Sequence, residues 1–327
     1  MSLYLALDVG GTKTAATLAD EEKILSRAMA GSIKTLRVLP AEAAANLRAV
    51  LDALETQSGF SLRGAVARTC VGTSGVSAPG VRGWLQAAFA EAVGGDLLLL
   101  GDEVIALDAA FAGGRGVLVI AGTGSNIVGR ASTGKMVHTG GWGPALADEG
   151  SGHWIGTEAL RACFRSIDAA PPSTADAIHA ESKRIDIVPE HLPPLLRGIL
   201  QALQLPTLDD LIGAANAPGF HSAALVPVVA AAAREGDLLA RQVLLRAGRD
   251  LAGLAGAVIR KIDHLEAGSL ATFAPPEVAF VGGVLSNIQP VRDAMHEALR
   301  QQFPGIALQQ AAVDPLEGAL WHARGQS

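Results

Sequence analysis

The stretch Leu3-Tyr-Leu-Ala-Leu-Asp-Val-Gly-Gly-Thr-Lys-Thr-Ala-Ala-Thr-Leu18 decides how the chain begins to fold. It consists of an apolar run, a glycine-rich turn and a second apolar run, which predicts a strand, a tight turn and an adjacent strand. Asp8 falls near the end of the first strand, where its carboxylate faces the same space as the turn. Such a turn suits phosphate oxygens, and Asp8 suits a Mg²⁺ ion held through water. An ordinary hairpin turn is the alternative interpretation.

The same pattern returns about 110 residues later, where the strand-like run Val117–Ala121 leads into Gly122-Thr-Gly-Ser-Asn126. This spacing is the length of one domain, and 327 residues exceed a single typical core. We therefore predict an α/β fold of two related domains with a cleft between them. The first domain is expected at residues 1–116 plus a C-terminal helix at 314–327, and the second, with helical insertions, at 117–313.

A third glycine turn lies near the C-terminus of the chain. Residues 277–281 read as a strand, Gly282-Gly283 as a turn, and residues 288–302 as a helix with Pro290 in its first turn. Bare backbone at this turn would let a flat base lie against it. Tight packing of the helix on the strand is the alternative.

One carboxylate follows a buried strand directly. Residues 97–100 form an apolar run, and Asp102 comes one glycine later. In open α/β sheets, the ends of strands meet the ligand, and a carboxylate there can accept the proton of an attacking hydroxyl. The alternative is that Asp102 is the N-cap of a helix over residues 103–111.

The stretch Gly140–Gly156 carries six glycines, an Asp-Glu pair and two of the four tryptophans of the chain. Glycines this dense permit positive φ and close approach of the backbone to a ligand. Asp148 and Trp142 suit a ligand that offers hydroxyls and a face for an indole, as a sugar does. Capping of a helix that starts near Gly152 is the alternative for Asp148, and a core anchor is the alternative for Trp142.

The bulk composition points to small-molecule chemistry. The net charge is −6 and basic residues never cluster, so no nucleic acid or membrane partner is expected. The chain shows no signal peptide and no long apolar run, so we expect a cytoplasmic protein. Cys70 and Cys163 lie far apart, as reduced core thiols do, and the eight histidines show no metal-ligand spacing.

The glycine motifs occur in the order seen in N-acetylglucosamine kinases of the BadF/BadG/BcrA/BcrD ATPase family, within the sugar kinase, actin and Hsp70 superfamily. The chain resembles this family from Asp8 to the final helix, most specifically in its Trp-Gly and Asp-Glu-Gly-Ser block. The resemblance implies two ribonuclease-H-like (actin-like ATPase) domains around a central cleft. It also implies use of ATP and Mg²⁺, phosphorylation of the 6-hydroxyl of N-acetylglucosamine, and a homodimer.

The resemblance implies a role for particular residues as well. Asp102 would be the catalytic base, and Asp8 would hold the Mg²⁺ ion through water. The residues implied to bind ATP and its phosphates are Gly10, Gly11, Thr12, Lys13, Thr14, Gly122, Thr123, Gly124, Ser125, Asn126, Gly282 and Gly283. The residues implied to bind the sugar are Thr35, Gly72, Thr73, Ser74, Gly75, Gly141, Trp142 and Asp148.

One loop departs from the family pattern. Members that use N-acetylglucosamine commonly carry an Asn in the loop after the second strand, whereas this loop reads Gly31-Ser-Ile-Lys-Thr-Leu36. The nearest polar candidates are Ser32, Lys34 and Thr35, and Lys34 would suit an acidic substituent. Glucosamine and N-acetylmuramic acid therefore stay open as substrates.

Two other classes of protein share this superfamily. An ATPase that activates a dehydratase bridges an iron–sulfur cluster between subunits through two cysteines in glycine-rich segments, whereas Cys70 and Cys163 sit in Arg-Thr-Cys-Val and Arg-Ala-Cys-Phe. A sugar-sensing regulator usually adds an N-terminal helix-turn-helix, whereas the first strand is expected to begin at Leu3. We therefore favour the kinase interpretation.

Overall fold

The structure is a computed structural model, and it describes residues 2–171, 192–267 and 273–325. Two compact units divide the chain. Unit 1 comprises Met1–Leu118, Val128–Met136 and Val313–Ser327, and unit 2 comprises Val119–Ile127 and Val137–Ala312.

The described residues form nine strands and eleven α-helices. The strands are β1 (Leu3–Val9), β2 (Lys13–Ala19), β3 (Ile24–Gly31), β4 (Val66–Thr73), β5 (Asp96–Leu100), β6 (Gly116–Ala121), β7 (Ser125–Arg130), β8 (Met136–Gly140) and β9 (Val278–Val281). The helices are α1 (Pro40–Ser58), α2 (Val81–Ala92), α3 (Asp102–Phe111), α4 (Gly152–Asp168), α5 (Pro194–Leu203), α6 (Leu208–Asn216), α7 (Val226–Glu235), α8 (Leu238–Glu266), α9 (Gly283–Asn287), α10 (Gln289–Gln302) and α11 (Pro315–Ala323). This content confirms the predicted α/β class.

Unit 1 contains a five-stranded sheet in the order β3-β2-β1-β4-β5. Strands β1, β4 and β5 run parallel, while β2 and β3 are added antiparallel beside β1. The pairing aligns Asp8 with Gly72, and Gly72 in turn with Leu100. The carboxyl ends of the three parallel strands therefore lie at one edge of the sheet, where the functional candidates of unit 1 are found.

Both faces of this sheet are buried. Leu5 and Leu7 of β1 join a core with residues of α1 and α2, whereas Ala6 joins a second core with Ile105 of α3 and Leu320 of α11. Side chains of a strand alternate between faces, so a sheet covered on both faces takes apolar residues at successive positions. This double burial explains why β1 reads as a continuous apolar run.

A buried charged cluster fixes α3 within unit 1. The carboxylate of Asp108 accepts a hydrogen bond from Arg130 Nη1, and its other oxygen lies 2.8 Å from His322 Nε2. Burial alone would raise the pKa of Asp108, but hydrogen bonds from His322 and Arg130 bring that pKa below its ordinary value. The cluster links α3 to β7 and α11, and so helps to hold the helix that begins at Asp102.

Unit 2 is dominated by helices. Its longest helix, α8, buries a stripe that includes Val243, Ala247 and Leu251, and packs against α10. At Gly248, an added Cβ would lie 2.3 Å from the carbonyl oxygen of Val291, so the two helices approach as closely as backbone allows. The second sheet has the strand order β8-β7-β6-β9.

Two further expectations concern the cysteines and membranes. Cys70 and Cys163 are fully buried, as core thiols are, and burial raises the pKa of each to about 12. Across the three described ranges, no helix is both long and apolar enough to span a bilayer.

Candidate active site

Two aspartates share the carboxyl edge of the unit 1 sheet. Asp8 is the penultimate residue of β1, and Asp102 is the first residue of α3, two residues beyond β5. The N-cap of α3 is Gly101, whose φ is −65° and ψ is 146°. The capping interpretation of Asp102 is therefore wrong, because its backbone is already helical. Its Oδ1 accepts a hydrogen bond from Glu103 N at 3.1 Å.

Both carboxyl groups ionise at a higher pH than an ordinary aspartate does. The pKa of Asp8 rises to about 6, chiefly through burial and further through the nearby charges of Asp102 and Asp314, while Lys13 lowers it. The pKa of Asp102 also rises to about 6, through burial and then through Glu103. The charges of Asp102 and Asp314 beside Asp8 favour a bound cation at this edge, in addition to the charge of Lys13.

Asp8 therefore fits the predicted Mg²⁺ site. In the described parts of the chain, no group of three or more His, Cys, Asp or Glu side chains is placed to hold a metal ion. A Mg²⁺ ion at Asp8 would keep several waters and take further oxygens from a nucleotide, which is how Mg²⁺ is usually bound beside phosphates.

The first glycine turn presents bare backbone. Gly10 N donates to Lys13 O at 2.9 Å, which closes the turn between β1 and β2. Gly11 and Thr12 are exposed, and their amides donate to no acceptor within the described ranges. Neither Gly10 nor Gly11 has a positive φ, so conformation does not require glycine here. The two free amides suit an anion.

The loop that follows β4 lies at the same edge. Thr73 is paired with Val9 and its hydroxyl donates to Val9 O at 3.3 Å. At Gly72, an added Cβ would lie 2.0 Å from Ile105 Cδ1, so this glycine lets α3 pack closely on β4. The structure thus brings predicted sugar-binding residues of 72–75 together with Asp8 in unit 1.

The loop after β3 contains three polar residues that were candidates for binding the sugar. The Ser32 hydroxyl is buried and donates to Gly10 O at 2.7 Å, so backbone occupies it. Lys34 is half-buried, and its ammonium donates to Ser74 Oγ. Burial lowers the pKa of Lys34, and the charge of Asp102 partly offsets that effect. Thr35 is half-buried beside it, and its role as a sugar ligand stays a prediction.

The second glycine turn, in unit 2, has the same character as the first. Gly122 N donates to Gly124 O at 2.9 Å, and the exposed Thr123 and Gly124 have amides without an acceptor in the described chain. The carbonyl of Gly122 accepts a hydrogen bond from Gly152 N at 2.8 Å. This turn is therefore held against the N-terminal end of α4.

Asp148 joins the second turn to α4. Its side chain is 7% exposed, its Oδ1 accepts from Ser125 N at 2.6 Å, and its Oδ2 accepts from the Ser151 hydroxyl at 3.0 Å. Ser151 is the N-cap, since its Oγ accepts from Trp154 N at 3.0 Å. Asp148 thus stabilises the second glycine turn through its hydrogen bond with Ser125 N. Its contact with sugar hydroxyls stays a prediction.

The glycines of Gly140–Gly156 serve two purposes. Four of them have φ between 74° and 87°, namely Gly140, Gly141, Gly143 and Gly150. At Gly156, an added Cβ would lie 2.0 Å from Ser222 O, so this glycine permits close packing. Trp142 is 72% exposed, so the core-anchor alternative is wrong and its indole face is free for a ligand.

The third turn combines both interpretations. Gly282 has φ 105°, and an added Cβ would lie 2.4 Å from Ala121 O, so this residue is required by packing on β6. At Gly283, an added Cβ would meet only Asn287 Nδ2, at 3.7 Å. Gly283 leaves a bare surface, and its contact with adenosine stays a prediction.

Comparison with known proteins identifies relatives over the whole chain. The N-acetylmuramic acid/N-acetylglucosamine kinase of Clostridium acetobutylicum is 27% identical over 333 residues, covering 100% of this chain and 99% of the relative. The N-acetyl-D-glucosamine kinase of Dictyostelium discoideum is 25% identical over 335 residues, covering 97% and 96%.

Solved structures agree in fold. A proposed N-acetylglucosamine kinase from Chromobacterium violaceum has a TM-score of 0.71 and 26% identity, covering 99% of both chains. A ROK family glucokinase from Streptomyces griseus, solved with glucose and AMPPNP, has a TM-score of 0.57 and 18% identity, covering 99% of this chain and 100% of that one. The fold is therefore the ribonuclease-H-like, actin-like ATPase fold of sugar kinases. The model of the BadF/BadG/BcrA/BcrD ATPase family matches residues 5–323, and the chain belongs to that family.

Proposed function

We propose that this protein is an ATP-dependent sugar kinase that transfers the γ-phosphoryl group of ATP to an amino sugar, at the 6-hydroxyl of N-acetylglucosamine. The observation that carries the proposal is the carboxyl edge of the unit 1 sheet, where Asp102, Asp8 and the bare turn at Gly11 and Thr12 lie together. The kinase names of relatives that match nearly the full chain support it.

Asp102 is the proposed catalytic base. Its pKa of about 6 leaves it ionised at neutral pH and more basic than an ordinary aspartate, which improves proton abstraction from a primary alcohol. The first turn of α3 orients it, because the buried Asp108 cluster and Gly72 hold α3 against the sheet. The sugar hydroxyl then attacks the γ-phosphoryl group in line, without a covalent enzyme intermediate.

The glycine turns are the proposed phosphate ligands. The amides of Gly11 and Thr12 in the first turn, and those of Thr123 and Gly124 in the second turn, would donate to phosphate oxygens. Asp8 would hold Mg²⁺ through water, and Mg²⁺ when bound would neutralise charge on the phosphates. Gly283 would border the adenosine.

The proposed sugar ligands are Ser74, Thr35 and Trp142. The hydroxyls of Ser74 and Thr35 would meet sugar hydroxyls, and Trp142 would offer its exposed indole to the apolar face of the ring. Gly141, whose φ is 74°, shapes the backbone beside that indole. Glucosamine and N-acetylmuramic acid are the alternative acceptors, and the Clostridium relative's name includes the second of these sugars.

A dehydratase activator is the alternative from another class. Such a protein ligates an iron–sulfur cluster through thiolates at a subunit interface. Cys70 and Cys163 are both 0% exposed, and burial raises the pKa of each thiol to about 12. Two buried, protonated thiols do not suit that cluster, which favours the kinase.

A coupled assay of ADP release with Mg-ATP tests the proposal. Glucosamine, N-acetylglucosamine, N-acetylmannosamine, N-acetylmuramic acid and glucose are compared, with Asp102→Asn as the base-deleted variant and Asp52→Asn, an exposed site in α1, as the control. We expect turnover on at least one amino sugar, reduced by 100-fold or more in Asp102→Asn alone. A rate independent of every sugar would refute the kinase. Light scattering on the same preparation tests the predicted homodimer.

A further inference from the structure

The loop between β3 and α1 is built onto the candidate active site of unit 1. Its backbone is fixed at two points of the first glycine turn, since Ser32 Oγ donates to Gly10 O at 2.7 Å and Ile33 N donates to Thr14 Oγ1 at 3.1 Å. Asn46 of α1 donates to Ser32 O at 2.9 Å. Ser32, Ile33 and Thr14 are all at most 2% exposed. Lys34 therefore extends from a rigid base.

The ammonium of Lys34 has unused hydrogen-bonding capacity. It carries three N–H donors, and the described structure gives it one acceptor, Ser74 Oγ. No carboxylate of the described chain lies within 4 Å of it. Asp102 is near enough to raise its pKa, while the charge of Arg37 lowers it. A half-buried cation with free donors thus faces the segment predicted to bind the sugar.

We propose that Lys34 binds an anionic substituent of the acceptor, so that a derivative of N-acetylglucosamine that carries a carboxylate is phosphorylated faster than N-acetylglucosamine itself. The inference rests on the proposed function, because it concerns the sugar that Asp102 deprotonates. The Asn that N-acetylglucosamine kinases of the family commonly carry in the corresponding loop is neutral, so it would form hydrogen bonds with sugar hydroxyls but would not attract an anion. A neutral sugar would instead leave the half-buried ammonium without a carboxylate in direct contact, which is less favourable.

A second cation on the same loop separates this role from phosphate binding. Arg37 lies over the first turn, since a Cβ added at Gly11 would be 4.0 Å from both its Cγ and its Nε. Lys34 instead contacts Ser74, on the loop after β4. The two cations therefore face different predicted subsites, phosphate for Arg37 and sugar for Lys34, and Arg37 provides a matched control.

The test compares N-acetylmuramic acid, whose lactyl ether carries a carboxylate, with its uncharged lactamide and with N-acetylglucosamine. For the wild-type protein, we expect kcat/KM to be about 10- to 100-fold higher for the acid than for the lactamide, the range of one charge-assisted hydrogen bond. Lys34→Met should bring that ratio close to one, and Lys34→Arg should retain most of it. Arg37→Gln should leave the ratio unchanged, whatever it does to the affinity for ATP.

Four results would overturn the inference. Equal kcat/KM values for the acid and the lactamide in the wild-type protein would show that no side chain distinguishes the carboxylate from the neutral amide. A uniform fall for all sugars in Lys34→Met would assign Lys34 to the transferred phosphoryl group or to Asp102 instead. Turnover of N-acetylglucosamine without a preference for the acid would leave the kinase standing and remove only this inference, whereas no turnover of any sugar removes both.

Discussion

Keeping Asp102 ionised at neutral pH costs the folded protein stability. Burial, and then Glu103, raise the pKa of this carboxyl group from 3.8 to about 6. The folded state therefore holds its proton more tightly than the unfolded chain, so stability falls as the pH rises from about 4 to about 6. Above pH 6 the full cost is present, and the difference in pKa corresponds to about 3 kcal/mol.

Replacing Asp102 by Asn should make the protein more stable and inactive at once. The amide has nearly the same size and no charge, so at pH 7.5 we expect the free energy of unfolding to rise by about 1–3 kcal/mol. The gain should shrink as the pH falls through 6 and vanish near pH 4, because the wild-type carboxyl is then protonated too. Urea unfolding followed by circular dichroism at four pH values measures this difference.

The exposed Asp52 of α1 provides the control. Asp52→Asn should change the free energy of unfolding by less than about 0.5 kcal/mol at every pH, as surface substitutions usually do. Two results would show that burial does not raise the pKa of Asp102: no gain in the free energy of unfolding for Asp102→Asn at pH 7.5, or an equal gain at pH 4. Its role as the base would then lose its electrostatic basis.

Two further predictions concern the base and the packing of its helix. The acidic limb of the pH profile of kcat/KM should have an apparent pKa of about 6, because Asp102 must be ionised. Glu103→Gln should move that limb to lower pH, because it removes a charge and a hydrogen bond that raise the pKa of Asp102. A limb that did not move would refute the effect of Glu103 on Asp102. Gly318→Ala should lower the free energy of unfolding by at least about 1–3 kcal/mol, because the added Cβ would lie 1.8 Å from Ile105 O. Gly253→Ala, whose added Cβ would have nothing within 4 Å, should raise the free energy of unfolding by about 0.5–1 kcal/mol. Urea midpoints that moved in the same direction for both variants would contradict this.

Strands that form apolar runs were predictable from the sequence, including the edge strands β5 and β9, whereas β3 and β8 were not. The apolar run of β1 is buried on both faces and is followed directly by Gly10, so the sequence predicted a strand that begins at Leu3. By contrast, β3 and β8 lie at the edges of their sheets and carry exposed and half-buried residues, so no apolar run marks them. The short helix α9 was missed as well, because Gly282-Gly283 signals only a turn.

The candidate site shows the same division between local and tertiary information. Carboxylates at strand ends and bare glycine turns leave a local pattern, so Asp8, Asp102 and both turns were predicted. The close contact of Gly72 with Ile105 and the hydrogen bond from Lys34 to Ser74 join residues more than 30 positions apart, and no local pattern encodes them. Asp148 likewise reveals its hydrogen bond to Ser125 N only once the chain is folded.

The central claim is that the γ-phosphoryl group of ATP reaches an amino sugar. Following a reaction with Mg-ATP and N-acetylglucosamine by ³¹P NMR tests this most directly. We predict that a sugar phosphomonoester appears in equal amount to ADP, with the ester at the 6-hydroxyl, and that both form at least about 100-fold more slowly with Asp102→Asn. Release of inorganic phosphate in place of a sugar ester would contradict the claim and identify the protein as an ATPase.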